Sequence, residues 1–462
     1  MLPRLAEHTD ARVRVAGYVD ATYGRYVAGR VRPPRRLPSV APPSCRSDGG
    51  VENLHELEQP LRMIHVITRY LRGGSEQRIR DIVRSFPDAQ HRLVVGLDSD
   101  LDAATRELEP TELHHLPTLV REPDPRRDAE AFVAITRLFR RRPVDLVVTH
   151  QSKAGVLGRA AARMAGGLPV VHSLSMASFG PGYPRWQDGL FRAVERRLHR
   201  VTTSYAVVGH DLAHRYASVG VPRHKLAIVR SGVRIPSDVR GEAARSAARE
   251  AHGLPSGRPL VLYMGSLDAR KNVLDLVPFL DRLVRLGDER RPPFLAIAGQ
   301  GPLSPELSAS LSSAGLGSHS SLLGYVSDPG ALIAAADCVV LLSGAEGVPQ
   351  VLVQAGAIGT PFVAYDVDGV RELLALDADG TLVPIGYLRA AADAASRVLS
   401  ASPGMARGSV DLSSWDPEQI RLGYRRLIEG VLAEHDRSSP SGSSGRRRSV
   451  RDRVVVAAGR RQ

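Results

Sequence analysis

The chain alternates between short runs of consecutive apolar residues and longer stretches in which apolar residues recur every three or four positions. The first unit starts at Met63, where a β-branched run is followed by a glycine turn and then by apolar residues at helical spacing from Ile79 to Phe86. Continuous apolar runs are typical of strands that are buried on both faces, and the periodic stretches are typical of amphipathic helices. The pattern therefore predicts parallel sheets covered by helices.

This alternation occurs in two sets. The first set fills residues 63–235, a polar, alanine-rich connector follows at 236–258, and the second set fills 259–436 and ends in a long helix. The predicted fold class is α/β, with two Rossmann-like, doubly wound domains facing each other across a cleft and a C-terminal helix that closes the fold. The proline-rich residues 1–62 and the Ser- and Arg-rich residues 437–462 lack sustained periodicity and are expected to be poorly ordered.

Composition narrows the protein class. Hydrophobic residues make up 43% and charged residues 24% of the 462 positions, as in ordinary globular proteins. No window approaches the roughly 18 apolar residues that span a bilayer, and the first residues lack the apolar stretch of a secretory signal. The two cysteines, Cys45 and Cys338, are too few for a disulfide framework or a zinc cluster. We therefore expect a cytoplasmic protein.

The net charge of +13 is unevenly distributed. Residues 437–462 carry eight arginines against one acid, so the rest of the chain is only mildly basic. Aromatic residues make up 5%, and a nucleic-acid partner is not expected. The predicted helix 185–200 places Trp186 and Leu190 among five arginines, a composition that suits peripheral contact with an anionic inner membrane leaflet. An ordinary amphipathic helix with a solvated basic face fits the same pattern equally well.

Lysine is rare in this chain. Of the 62 basic residues only Lys153, Lys225 and Lys271 are lysines. In so arginine-rich a sequence, a retained lysine can indicate a site that needs a compact ammonium group rather than a planar guanidinium. Chance retention is the alternative for each of them.

Several glycines lie at predicted strand ends, where open α/β sheets bind ligands. Gly73 and Gly74 follow the first strand and open a helix, so their backbone could approach a phosphate or a sugar. Gly299 and Gly301 have the same position in the second domain. A tight structural turn is the alternative explanation for both pairs.

The most informative segment starts at Glu346, in a glycine-flanked loop between an apolar strand and a helix that begins near Pro349. This loop is expected to bring a carboxylate and unpaired backbone N–H groups into the cleft together. Gln354, eight positions later, is expected near the front of that helix. A solvated acid beside a helix start is the alternative.

Eight segments in order resemble the retaining nucleotide-sugar glycosyltransferases of family 4, which have the GT-B fold. The segments are 66–77, 149–159, 170–182, 228–233, 264–272, 297–302, 322–328 and 346–355. The resemblance implies transfer of a sugar from a nucleoside diphosphate donor to an acceptor hydroxyl with retention, without a metal or a further cofactor. It implies catalytic roles for Glu346 and Lys271, donor-binding roles for Gly73, Gly74, Ser266, Arg270, Gly299, Gly301, Tyr325, Gly347, Val348 and Gln354, and acceptor-side roles for His150, Lys153 and Ser175.

Three positions depart from the family pattern. Gln354 stands where a second glutamate is usual, Ser266 where an arginine is usual, and Ser175 where a cleft histidine is usual. Arg270 could supply the missing guanidinium. A catalytically silent nucleotide-sugar-binding protein therefore stays open as the alternative function. The acceptor implied by the resemblance is lipid-linked or a saccharide, as in envelope polysaccharide or glycolipid synthesis.

Three Asp-x-Asp triplets, beginning at Asp98, Asp366 and Asp377, match the metal motif of the other glycosyltransferase fold. A three-residue pattern arises by chance in a chain of this length. We therefore interpret the triplets as coincidental and expect no metal site.

Overall fold

The computed structural model describes residues 60–71, 73–109, 111–180, 183–233, 241–401 and 411–438. The segments predicted to be poorly ordered, residues 1–62 and 437–462, lie outside this part of the chain apart from residues 60–62, 437 and 438. Within it are two separate parallel sheets, which confirms the predicted doubly wound α/β architecture.

The first sheet has seven strands in the order β3-β2-β1-β4-β5-β6-β7. The strands are β1 (Arg62–Ile67), β2 (Gln90–Val95), β3 (Glu112–His115), β4 (Leu146–His150), β5 (Val170–Leu174), β6 (Ser204–Val207) and β7 (Leu226–Ile228). The helices between them are α1 (Gly74–Ser85), α2 (Leu101–Glu107), α3 (Pro125–Arg141), α4 (Ser152–Met164), α5 (Arg185–Leu198) and α6 (His210–Ser218).

The central strands of this sheet are buried on both faces. On β1, Met63 packs in one core cluster, whereas Ile64 and Val66 pack in the cluster beneath α3 and α4. Successive side chains of a strand point to opposite faces, so an uninterrupted apolar run fills both layers. The sequence encodes this as the continuous apolar run that predicted the strand.

The second sheet has six strands in the order β10-β9-β8-β11-β12-β13. They are β8 (Leu260–Met264), β9 (Phe294–Ala298), β10 (Ser320–Gly324), β11 (Cys338–Leu341), β12 (Phe362–Tyr365) and β13 (Gly380–Val383). The helices are α7 (Glu242–Ala251), α8 (Leu276–Leu286), α9 (Ser304–Ser313), α10 (Pro329–Ala335), α11 (Gln350–Ile358), α12 (Val370–Leu374) and α13 (Leu388–Ser400).

Helix α7 lies within the predicted connector and packs against the second domain. The Arg249 guanidinium donates to the carbonyl of Ala335 at the end of α10 and to the carboxylate of Asp337. The two bonds to Ala335 satisfy a buried carbonyl at the helix end, which has no partner within its own helix.

The last helix, α14 (Pro417–Ser438), follows the second domain in sequence but packs on the first. Ile420, Tyr424 and Ile428 join the core cluster that contains Met63 and Ile82. The chain therefore passes between the domains twice, once after β7 and once before α14. No helix in the described residues combines the length and apolar character needed to cross a membrane.

Candidate active site

The loops at the C-terminal edges of the two sheets meet and form one cleft. Both domains line a pocket in it, where one side is made by Ala177, Phe179, Tyr183 and Arg215 and the other by Gly344, Ala345, Glu346, Asp366, Val367, Asp368 and Ile385. Ligands of open α/β sheets bind at such strand ends, so this cleft is the candidate active site.

Glu346 and Lys271 form an ion pair in the second domain. Glu346 lies in the loop between β11 and α11, and Lys271 ends a short 3-10 turn after β8. Their side chains are only 9% and 14% exposed. The Asp268 carboxylate caps the turn by accepting the N–H of Lys271 at 3.3 Å. The site thus holds one cation beside one anion, an arrangement that suits a ligand with both phosphate and hydroxyl groups.

Ser266 and Arg270 both contact Asp268. The Ser266 hydroxyl donates to its carboxylate at 2.8 Å, and the Arg270 guanidinium lies 3.6 Å from the same oxygen. Burial alone would raise the pKa of Asp268, but the Ser266 hydrogen bond and the Arg270 charge together lower it. Another nitrogen of Arg270 lies 3.0 Å from the sulfur of Met176 in the first domain. Arg270 therefore reaches across the cleft to Met176 while keeping a long ion-pair contact with Asp268 in its own domain.

The start of α1 faces the cleft from the first domain. Gly73 caps the helix with extended backbone, and a Cβ on Gly74 would meet no atom within 4 Å. Ser75 and Ser175 lie next to this opening with their hydroxyl oxygens 3.0 Å apart. The helix start and Ser175 thus share one surface of the cleft.

Gly347 lies at a close backbone approach between the two domains. A Cβ at this position would come within 1.8 Å of the Ser175 carbonyl oxygen, so only glycine allows the contact. Val348, the next residue, packs against apolar clusters of both domains. The Glu346 loop is therefore held against the first domain by its backbone.

Gly299 and Gly301 serve packing between two loops of the second domain. A Cβ on Gly299 would lie 1.8 Å from the Gly265 carbonyl oxygen, and one on Gly301 would lie 2.3 Å from that of Leu267. Their presence is explained by this close approach. The same loops could still border a ligand.

Tyr325 and Gln354 have side chains that a ligand could reach. Tyr325 follows β10 and is 56% exposed. Gln354 lies in the second turn of α11 with its side chain partly exposed. Both follow the C-terminal edge of the second sheet, on the same side as Glu346.

Two predicted acceptor-side residues do not line the cleft pocket. The Lys153 ammonium binds the Asp128 carboxylate at 2.6 Å and the carbonyl of Glu122, and so joins α4 to α3 and the segment before it. His150 is fully buried at the end of β4, and burial lowers its pKa to about 3. Its imidazole is therefore neutral at neutral pH and shielded from solvent.

His150 belongs to a row of three stacked histidines that crosses the first sheet. The His91 Nε2–H donates to the Phe86 carbonyl at 2.9 Å, so its Nδ1 accepts from His65. His65 in turn faces His150 at 3.4 Å between ring nitrogens. Burial lowers the pKa of His65 and of His91, so the row is neutral.

The pocket also contains residues that the sequence analysis missed. Arg215 of α6 and Asp368, after β12, form a bidentate ion pair across the cleft. Asp368 belongs to a triplet interpreted as coincidental, and its position after an apolar strand was the available signal. Its partner is an arginine 153 residues away in the chain. In the described residues no group of three or more acids, histidines or cysteines could hold a metal ion.

Comparison with known proteins adds family information. Residues 244–407 match the family described as glycosyl transferases group 1, and residues 73–232 match the glycosyl transferase 4-like domain. The alpha-D-kanosaminyltransferase of Streptomyces kanamyceticus is 30% identical over 246 residues, which cover 50% of this chain and 62% of that protein.

An Escherichia coli enzyme named UDP-Gal:alpha-D-GlcNAc-diphosphoundecaprenol alpha-1,3-galactosyltransferase is 25% identical over 61% of this chain and 73% of its own length. Among solved structures, Anabaena HepE in complex with UDP and glucose superposes with a TM-score of 0.61 and 17% identity, covering 81% of this chain and 100% of that one. The two matched domains together span most of the sequence. The chain therefore belongs to the family 4-like glycosyltransferases with the GT-B fold.

Proposed function

We propose that the protein transfers a sugar from a nucleoside diphosphate sugar to an acceptor hydroxyl, with retention of configuration and without a metal ion. The observation that carries the proposal is the Lys271–Glu346 ion pair, which lies in the cleft between two Rossmann-like domains. The bound UDP and glucose of Anabaena HepE, which has the same fold, support a nucleotide-sugar donor.

Charge stabilisation is the main chemical task in this reaction. The bond between the sugar and the diphosphate breaks, leaving negative charge on the phosphate and developing positive charge on the sugar ring. Lys271 would bind the leaving diphosphate, and Arg270 would replace the arginine absent at Ser266. The N-terminus of α1, which is open to the cleft at Gly74, would donate backbone N–H groups to the diphosphate as well.

Glu346 would bind the transferred sugar, and Gln354 would bind the nucleotide ribose. When phosphate binds Lys271, the Glu346 carboxylate is free to accept hydrogen bonds from hydroxyl groups of the sugar. The departing phosphate oxygen can take the proton of the acceptor hydroxyl, so a serine at position 175 is compatible with turnover. Closure of the two domains would exclude the water that could otherwise hydrolyse the donor.

A silent nucleotide-sugar-binding protein is the second candidate function. The observations in its favour are Ser266, Gln354 and Ser175, which each replace a charged or titratable residue of the family pattern. The Ser175 hydroxyl is already engaged with Ser75. Nucleotide binding alone cannot separate the two functions because both require it.

The deciding experiment measures nucleotide release. The purified full-length protein is incubated with UDP-, GDP- and ADP-sugars, with and without an acceptor lipid extract, and free nucleotide is quantified. Acceptor-dependent release that persists in EDTA is the expected result. Saturable binding without release under every condition would favour the silent protein, and release that disappears in EDTA would contradict metal independence.

We also propose that the acceptor is lipid-linked and that α5 contacts the inner membrane leaflet. The Escherichia coli relative is named for a diphosphoundecaprenol acceptor. Only Glu195 of α5 is fully buried, held by a bidentate ion pair with Arg159. Trp186 and Leu190 are 66% and 52% exposed, on a surface that also carries several arginines. Such a face can insert apolar side chains between anionic headgroups.

A further inference from the structure

The two domains cap each other's helices on one side of the cleft. In the first domain, Asp211 lies in the first turn of α6, and its carboxylate accepts the N–H of Gly369 at 2.9 Å. In the second domain, the Glu372 carboxylate accepts the N–H of Asp211 at 3.1 Å. Each carboxylate thus satisfies an N–H that has no partner within its own helix.

Two ion pairs reinforce this reciprocal capping. Arg215, one turn after Asp211, donates to both oxygens of Asp368, with 2.7 Å for the Nε bond. The two side chains are 19% and 17% exposed. Arg230, which follows β7 where the chain leaves the first domain, lies 3.1 Å from Glu372. The Arg215–Asp368 pair is bidentate and partly buried, and such pairs are stronger than exposed single contacts.

These contacts also border the Glu346 loop. A Cβ on Gly369 would come within 1.9 Å of the Gly347 carbonyl oxygen. The turn at Gly369, which precedes α12 and is capped by Asp211, therefore lies directly against the Glu346 loop. On the other side, a Cβ on Gly209, the residue before α6, would lie 2.8 Å from a methyl group of Val348. Movement of α6 away from the turn would therefore release the loop that carries Glu346.

We propose that Asp211, Arg215, Asp368 and Glu372 form an interdomain clasp that holds the cleft closed and positions Glu346. The inference rests on the proposed glycosyltransferase function and assigns these four as positioning residues. With the clasp broken, water can enter and attack the anomeric carbon. The products would be free sugar and nucleoside diphosphate, with the oxygen supplied by water and its proton passed to the leaving phosphate.

A charge swap in the full-length protein tests the clasp. Arg215→Asp and Asp368→Arg each place like charges together, and the double variant restores an opposite pair. Arg282→Asp is the matched control, since it breaks the Arg282–Asp393 pair within the second domain. The measurements are the radius of gyration without ligand by small-angle X-ray scattering, and the ratio of donor hydrolysis to transfer.

Both single variants should be more expanded than the wild type and should raise the hydrolysis-to-transfer ratio by roughly an order of magnitude. The acceptor KM should rise more than kcat falls, and the double variant should recover both properties, whereas the control should match the wild type. Unchanged compactness in the single variants, or no recovery in the double variant, would overturn the proposal.

Arg215→Gln gives the same comparison if a reversed charge prevents folding, because it removes the pair without adding repulsion. The small-angle X-ray scattering measurement tests the clasp independently of the proposed glycosyltransferase function. Expansion that the charge swap reverses would support the clasp even in a protein that releases no nucleotide. Normal transfer with unchanged compactness would reject the clasp alone.

Discussion

The two halves of the cleft use their polar residues differently. In the second domain, Lys271 and Glu346 bind each other, and the Arg270 guanidinium lies near the Met176 sulfur and 3.6 Å from the Asp268 carboxylate. In our proposal, phosphate groups of a ligand replace the partners of Lys271 and Arg270, and sugar hydroxyls replace the partner of Glu346.

In the first domain, several polar side chains near the strand ends, such as Arg78, His150 and His172, are buried and contact other groups of the protein. The comparison agrees with our proposal that Lys271 and Glu346 of the second domain bind the donor, whereas many polar contacts of the first domain hold its own elements together.

Arg78 shows how the first domain uses buried charge. Its guanidinium is fully buried and donates to Ser173 and to the backbone carbonyls of Ala206 and Val229, at 2.9, 2.9 and 2.7 Å. These partners belong to β5, to β6 and to the segment after β7. The Tyr424 ring of α14 lies 5.5 Å away. One side chain thus joins the strand ends that lead into the cleft.

Acid should destabilise the first domain far more than the second. Burial lowers the pKa of His65, His91, His150 and His172, all in the first domain. The unfolded chain binds protons below about pH 6.5, whereas the folded chain does not until lower pH. The contribution of these neutral histidines to the free energy of unfolding is therefore complete above about pH 6.5. It falls as the pH decreases, by up to about 1.4 kcal/mol per pH unit for each histidine.

Hydrogen exchange at pH 7.5 and 5.5, corrected for intrinsic exchange rates, would measure this difference. Amides of β1 and β4 should lose protection at pH 5.5, and amides of β8 and β11 should change less. His65→Asn should make the pH dependence shallower, whatever its effect on absolute stability. Equal loss of protection in both sheets would contradict the assignment of acid sensitivity to the first domain.

Glu346→Gln should lower kcat by about 100-fold while nucleotide affinity falls only modestly. In the proposed role, the amide keeps a hydrogen-bonding group near the sugar but loses the negative charge that strengthens its hydrogen bonds to the sugar hydroxyls in the transition state. Steady-state kinetics and calorimetry with the nucleoside diphosphate would measure the two quantities. Glu418→Gln, on the exposed start of α14, is the control. A large loss of nucleotide affinity with unchanged kcat would place Glu346 at the nucleotide instead.

Lys271→Ala should weaken binding of the nucleoside diphosphate by about tenfold or more, because a charge-assisted phosphate contact is removed. Lys225→Ala is the matched control in the first domain. Its ammonium binds the carbonyls of His199 and Thr202, so its loss should not affect nucleotide affinity. Titration calorimetry on both variants compares the two halves of the molecule directly. Unchanged affinity in Lys271→Ala would mean that the phosphate site lies elsewhere.

Much of the fold could be predicted from sequence because its signals are local. Continuous apolar runs at β1, β4, β8 and β11 indicate strands buried on both faces, and periodic stretches indicate the helices that cover them. The loop that contains Glu346 could be located in the same way, from a strand, a glycine-flanked acid and a proline near the helix start.

The contacts of the site could not be predicted because they depend on packing between distant segments. The resemblance implied an acceptor-side role for His150, but its side chain is fully buried and stacks on His65. Asp211 and Gly369 lie 158 residues apart, and no sequence period links them. The rarity of lysine identified ligand-binding positions only in part, because Lys153 and Lys225 bind backbone carbonyls within the first domain.

The smallest expected effect concerns α5, where the first domain exposes apolar side chains instead of burying polar ones. Trp186→Ser combined with Leu190→Ser should reduce binding to vesicles of anionic phospholipid severalfold, because each apolar side chain contributes buried area at the interface. Leu422→Ser, an exposed leucine on α14, is the matched control. Co-sedimentation with vesicles measures the bound fraction.

Salt separates the apolar contribution of α5 from the charge of the tail. Residues 437–462 carry eight arginines and one acid, so their removal should weaken vesicle binding most at low ionic strength, where charges are screened least. The binding that survives this truncation should depend on Trp186 and Leu190 and should vary little with salt. Equal binding with and without the tail would refute its role. If the full-length protein fails to bind anionic vesicles at all, a soluble acceptor becomes the better proposal, because the surface argument for a lipid-linked sugar is then removed.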